Sequence, residues 1–499
     1  MKDKKKILEN TIKRARERDI IIPTFAQQKD PGKVPEQIKD NLKNVGLEDV
    51  NPLNLFRINW KNDIETGLFG GVNFLEISRE ITGIKARIIG LVGKYFPTGA
   101  HKVGAAFGCL VPRLVTGEFD PTTQKAVWPS TGNYCRGGAF DCALLACTPV
   151  AILPEGMSKE RFVWLEGIGA EVIKTPGTES NVKEIYDKCW EIRKTRKDCV
   201  IFNQFDEFGN SLWHYEITGS AIEEVYSELR TLPRGSRVPS GREANSKLRL
   251  SAYVSATGSA GTIAAGDYLR TKFPLIKVAA SEALQCPTLL LNGFGAHRIE
   301  GIGDKHVPWI HNVRNTDMII AIDDENTMRI LRLFNEDAGL KVLEEEGVKK
   351  KVISKLNLLG ISSICNLLAS IKLAKYYELN EDDLIFTTFT DSADMYQSRL
   401  KELTDERGKY SERDAIVDLE RYLRGVGIDW LKELSYYDRK AIHNLKYFTW
   451  VEQQGKTSEA LNELWNPEFW DEVFSRAKKY DRLIEEFNEK TGLLKKYQK

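Results

Sequence analysis

Between about residues 80 and 400, short β-rich runs alternate with helical patterns, and this alternation limits the chain to few folds. The runs fall at 86–92, 126–129, 149–153, 171–175, 200–203, 251–255, 276–280 and 384–388. Strands spaced by helix-length segments argue a parallel sheet wrapped by helices, an α/β architecture. Residues 1–79 are polar and mixed, and they predict an N-terminal arm with helices. Residues 401–499 are charged and helical in pattern, predicting a helical C-terminal extension. There Trp430, Trp450, Trp465 and Trp470 stand among charged residues, as on a cap or oligomer surface. The stretch Leu232-Pro233-Arg234-Gly235-Ser236 begins a loop inserted between a helix and a strand.

A length of 499 residues allows two or three domains with large cores. Lys and Arg number 72 against 71 Asp and Glu, a balance that gives no pull toward nucleic acid or a membrane surface. The basic N-terminus, MKDKKKILEN, lacks an apolar segment behind it and does not read as a signal peptide. No apolar stretch approaches the roughly 20 residues of a spanning helix. Eight scattered cysteines without C-x-x-C spacing fit buried, reduced thiols in a cytoplasmic protein. Six histidines without H-x-x-x-H pairing predict no metal site.

Three segments carry chemistry. The first strand runs through Gly93 and Phe96-Pro97 into Thr98-Gly99-Ala100-His101-Lys102-Val103-Gly104, which sets a lysine at a strand-to-helix turn. Burial lowers an amine's pKa, and a neutral amine condenses with an aldehyde. A P-loop relative or a plain helix cap is the alternative. Second, Ser130-Thr131-Gly132-Asn133-Tyr134 opens a helix after a short strand, offering hydroxyls, an amide and free N–H groups to an anion; an ordinary N-cap has the same composition. Third, Thr257-Gly258-Ser259-Ala260-Gly261-Thr262 joins strand to helix through small residues, as a phosphate cradle does. Glu282, about 20 residues beyond this loop, would suit the ribose acid of a dinucleotide site. The spacing is not G-x-G-x-x-G, and no lysine follows in Walker position, so a monophosphate fits better.

Together the segments resemble the fold-type II pyridoxal-phosphate enzymes, the cysteine synthase, cystathionine β-synthase and tryptophan synthase β group, over about residues 70–400. Four further stretches keep the register: Trp213-His214-Tyr215-Glu216-Ile217-Thr218-Gly219, Ala296-His297-Arg298-Ile299-Glu300-Gly301-Ile302-Gly303, Gly360-Ile361-Ser362-Ser363 and Thr390-Asp391-Ser392-Ala393-Asp394-Met395-Tyr396. The resemblance implies a catalytic core at 80–400 with two open parallel-sheet α/β subdomains, the smaller at roughly 105–205. It implies that Lys102 carries pyridoxal 5'-phosphate and acts as general base, that Asn133 and 257–262 (Thr257, Gly258, Ser259, Ala260, Gly261, Thr262) hold the cofactor, and that Ser392 faces its pyridine nitrogen. Ser130, Thr131, Gly132 and Tyr134, with Gly301 and Gly303, would receive the substrate.

The activity implied is a lyase or transferase reaction at the β-carbon of an amino acid, elimination or replacement through an aminoacrylate, in a cytoplasmic homodimer. The chain departs from the family in two places. The T-G-A-H-K context is similar to the tryptophan synthase β subunit, yet that subunit's catalytic glutamate is absent from the 130–133 loop, which argues against tryptophan synthesis. Asp304-Lys305-His306 puts charge where cysteine synthases are apolar, either to recognise a polar substrate or to face solvent. The alternatives are a cofactor-binding subunit of a heteromeric amino-acid-metabolising enzyme such as a fermentation thiolase, a non-catalytic binding protein, and a nucleotide-dependent dehydrogenase.

Overall fold

The structure, a computed structural model, describes residues 2–130, 132–157, 159–177, 182–231, 247–303 and 305–497. Thr131, Asp304 and the inserted loop beginning at Leu232 lie outside the described residues. The strands are β1 (Phe74–Ile77), β2 (Arg87–Val92), β3 (Lys125–Pro129), β4 (Thr148–Pro154), β5 (Glu171–Thr175), β6 (Cys199–Ile201), β7 (Arg249–Ala256), β8 (Lys277–Ala283), β9 (Met318–Ile322), β10 (Asp383–Phe389) and β11 (Leu431–Glu433). They form a seven-stranded sheet ordered β1-β2-β10-β7-β8-β9-β11 and a four-stranded sheet ordered β5-β4-β3-β6. The small sheet is parallel throughout; the large one is parallel except at its edges, where β1 and β11 run antiparallel to β2 and β9.

The local chemistry explains these positions. All six residues of β2 are buried, which is why 86–92 is apolar without alternation: helices cover both faces of a parallel sheet. Helix Ile361–Tyr376 is buried along nearly its whole length and packs on β7, β9 and β10, and its buried polar residues, Ser362, Asn366 and Lys372 among them, are hydrogen-bonded. Eight strands stand where the sequence predicts them, with ends displaced by at most three residues. Three were missed. The short edge strand β1 lies in the segment read as helical, β9 is the apolar run Met-Ile-Ile-Ala-Ile, and β11 lies inside the C-terminal extension, pairing Leu431 with Ile320.

That extension is otherwise helical. Its last helix, Pro467–Thr491, packs on the first helix, Lys2–Glu17, and on helix Lys102–Val115. Asn488 closes a two-way amide pair with Ile22, and Asp481 accepts the N–H groups of Phe25 and Ala26, so the two ends of the chain are bound to each other. Trp450 and Trp470 are buried; Trp450 donates its indole N–H to Val307 O and Trp470 packs edge-on against Phe208, so both anchor the extension to the core rather than mark a surface. Trp430 is half exposed, in keeping with the sequence reading. All eight cysteines are free thiols, and all but Cys199 are buried. No single helix among the described residues is long and apolar enough to cross a membrane.

Candidate active site

The carboxyl ends of β2, β7 and β10 from the large sheet and of β3 and β6 from the small one face a common cavity, where open α/β folds place their ligands. After β2 a single turn, Gly93–Tyr95, leads to His101 and to Lys102, the first residue of helix Lys102–Val115. The His101 backbone N–H donates to the carbonyl of Thr390 just beyond β10, which ties the lysine loop to the neighbouring strand. Lys102 Nζ donates to Ser259 Oγ at 2.9 Å and to Gln204 Oε1 at 3.3 Å. Burial disfavours its ammonium form and brings the amine from 10.5 down to about 8, against a small upward pull from Cys109.

This depression sets a pH dependence. A buried amine loses its proton near pH 8, whereas a solvated one keeps it to about 10.5. The rate at which cofactor-free protein captures an aldehyde on Lys102 is therefore expected to rise through a midpoint near pH 8. Stopped-flow absorbance measures it, and a midpoint near the solvated value would place this amine in water.

The loop after β7 contributes Gly258, Ser259, Ala260 and Thr262 to the cavity wall. Among the described residues, no hydrogen bond runs from the backbone N–H groups of Gly258, Ser259, Ala260, Gly261 or Thr262 to another protein group. Unpaired N–H groups in a mostly buried loop at a helix start are a site for an oxyanion. Ala260 sits in the left-handed region at φ 60°, and Gly261 packs so closely that a Cβ would overlap Asn210 Oδ1. Thr257 and Gly261 do not line the cavity. Thr257 bonds to Ser281 O through both its N–H and its hydroxyl, and so anchors the loop to the end of β8.

On the opposite wall stand Ser130, Asn133 and Tyr134. Ser130 Oγ accepts the Gly132 N–H at 3.1 Å. Asn133 donates to Asp391 Oδ2 at 2.6 Å, and its own Oδ1 is buried without a partner. The Tyr134 ring packs edge-on against Trp128, and its buried hydroxyl faces the Cys109 thiol. Gly301 and Gly303 close the wall at φ 93° and 82°; a side chain at Gly303 would run into the His297 ring.

The structure does not bring Ser392 to this cavity. Ser392 is buried with an unpartnered Oγ, while Thr390 and Ser362 line the wall, their hydroxyls 2.7 Å apart. β10 ends at Phe389, so Thr390, the first residue beyond it, reaches the cavity, whereas Ser392, two residues further on, does not line it. Glu282 is no ribose ligand; its carboxylate accepts the N–H groups of Leu289 and Leu290, and burial pushes it up to about 8. Sequence reasoning missed His101, Gln204 and Phe205. Gln204 and Phe205 lie just past β6, so the rule that ligands meet strand carboxyl ends was the available signal. Of the charged residues after Gly303, Lys305 lies over the Phe294 ring and His306 packs behind Phe205.

Comparison with known proteins supplies the family. The sequence profile of the family described as pyridoxal-phosphate dependent enzyme matches residues 94–353. A probable cysteine synthase of Bacillus subtilis is 28% identical over 303 residues, covering 60% of this chain and 85% of the relative. A cystathionine beta-synthase of Saccharomyces cerevisiae is 25% identical over 326 residues, covering 64% and 58%. Among solved structures, O-acetyl serine sulfhydrylase isoform 3 of Entamoeba histolytica superposes with a TM-score of 0.56 at 23% identity, covering 71% of this chain and 94% of that one. The site fits the cofactor this profile implies: a buried amine, an unpaired N–H cradle for a phosphate and an unpartnered Asn133 oxygen share one cavity.

Proposed function

Because this chain belongs to the pyridoxal-phosphate dependent enzyme family, we propose that it is a lyase or transferase acting at the β-carbon of an amino acid by elimination or replacement. The single observation carrying this reading is the buried Lys102 amine held within bonding reach of the cradle residue Ser259. When bound, pyridoxal 5'-phosphate supplies the electron sink for carbanion chemistry. The chain's own groups do the rest. Lys102 Nζ would hold the cofactor at its aldehyde carbon, and its amine, when free, would take the proton from the substrate α-carbon as general base. The N–H groups of 258–262 hold the phosphate. Asn133 would orient the ring oxygen, and Thr390 with Ser362, which line the cavity, would take the role toward the pyridine nitrogen that the sequence reading gave to Ser392.

Ser130 and Gly132, with Tyr134, receive the substrate carboxylate at the helix start, a role that the sequence reading also gives to Thr131. Gly301 and Gly303 leave room beside them. Neutral hydroxyls near the ring leave it a milder electron acceptor than a carboxylate would, which favours loss of a β-substituent over transamination. We infer a cytoplasmic homodimer, the compartment from the scattered, unpaired cysteines and the assembly from the family resemblance; sedimentation tests the assembly.

The test of function is the visible absorbance of the purified protein with serine, cysteine, O-acetylserine and threonine in turn, coupled to assays for oxo acid, ammonia and sulfide. A yellow protein whose band shifts with one of them, releasing the matching product, is the expected result. A colourless protein, or a band that no amino acid perturbs, overturns the reading.

A further inference from the structure

The C-terminal extension reaches the wall of the catalytic cavity through three hydrogen bonds. The backbone leading away from Gly303 turns alternate carbonyls toward it. Trp450 Nε1 donates to Val307 O at 2.8 Å, and Lys446 Nζ donates to Trp309 O at 2.9 Å and His311 O at 2.7 Å. The N–H of Ile310, between them, donates at 3.2 Å to the carbonyl of Phe205. Phe205 and Gln204 line the cavity, and Gln204 holds Lys102 Nζ. The His306 ring fills the space between Phe205 and Trp450, with centroids 5.2 Å and 5.3 Å away, and shares a 2.8 Å hydrogen bond with Tyr186.

Lys446 makes this arrangement informative. Its side chain is wholly buried and its acceptors are two carbonyls. Burying an amine is costly, and leucine or methionine would fill the same space without that cost. What the amine adds is directional: it fixes two carbonyls, and through Ile310 the wall beyond them. We propose that Lys446 and Trp450 are positioning residues of the catalytic site, setting the Gln204–Phe205 wall against Lys102 through residues 307–311. The extension is thereby part of the active site's construction. This inference rests on the site proposed above and not on the choice of substrate.

The charged and titratable groups around Lys102 are His101 beside it, Cys109 on its own helix and His214 from the facing helix, whereas those beside Lys446 are His311 and His443. A loosened wall admits water to Nζ and should change its protonation without altering these neighbours. The test uses the full-length holoenzyme carrying Lys446→Met or Trp450→Phe. The pH midpoint of its visible cofactor band is expected to move by about one unit while cofactor content stays at one per chain. For the amino acid that turns over, KM should rise about tenfold with kcat changed less than about threefold. An unchanged midpoint and KM, with only a lower Tm, would reduce both residues to packing and overturn the proposal. If Lys446→Met does not accumulate as folded protein, Trp450→Phe, which keeps a ring against His306, decides on the same readouts. If no amino acid turns over, the substrate reading fails on its own and the midpoint still decides this one.

Discussion

Replacing Lys102 with alanine is expected to abolish borohydride-trappable cofactor and to lower turnover by at least about a thousandfold, the span that one positioned acid–base group commands. The fold should survive. Lys102 opens its helix, alanine is the best helix former, and only the bonds to Ser259 and Gln204 are lost. Stability of the cofactor-free protein should improve at neutral pH. The folded amine titrates near 8 and the unfolded one near 10.5, so between those values the unfolded state binds the extra proton. Below about pH 8 the wild type therefore carries a penalty of about 3 kcal/mol, which fades as pH rises toward 10.5. The alanine variant lacks that dependence. Thermal melts of both cofactor-free proteins at pH 7 and pH 10 measure the difference, and borohydride reduction with peptide mapping measures the attachment. Cofactor still trapped in Lys102→Ala would mean that another amine carries it.

Much of this site was legible because its chemistry is written in short, contiguous segments. Lys102, the 130–134 turn and the 257–262 loop each follow a buried strand and open a helix, so strand pattern and small residues locate them together. Ala260 shows how far such reading goes. It holds φ 60°, a conformation that glycine reaches without strain, so the loop takes this backbone shape without the residue that usually permits it. Ser392 marks the limit: two residues along a chain leaving a strand decide whether a hydroxyl meets the cavity or the core, and periodicity does not resolve where β10 ends. Gln204 and Phe205 carried no signal of their own, because an amide and an aromatic gain meaning here only from the strand end they follow. The extension was least legible. Its tryptophans stand among charged neighbours in sequence, yet Trp450 is buried against His306 and Val307, contacts more than 140 residues distant along the chain.

The second large effect is expected at Gly261. Gly261→Asp should weaken binding of pyridoxal phosphate by about a thousandfold or more, since a carboxylate added to the cradle repels the phosphate, and a close pair of like charges at an intermediate effective dielectric costs about 4 kcal/mol. Sterics add to this. A Cβ at this position overlaps Asn210 Oδ1, and Asn210 cannot swing away freely because its amide donates to Gln204 O and Ser259 Oγ. Those two acceptors are themselves the partners of Lys102 or neighbours of them, so a shift of Asn210 reaches the Lys102 amine. Gly261→Ala separates the terms. It carries the overlap without the charge, and it should bind the cofactor more weakly than wild type but far more tightly than the aspartate variant. Equilibrium titration of the cofactor-free proteins by fluorescence, at low and high ionic strength, measures both. The aspartate deficit should shrink with salt only slightly, because the loop is mostly buried and counter-ions screen it poorly. Equal affinities for wild type and Gly261→Asp would remove the 257–262 loop from the phosphate and leave the unpaired N–H groups of 258–262 to some other anion.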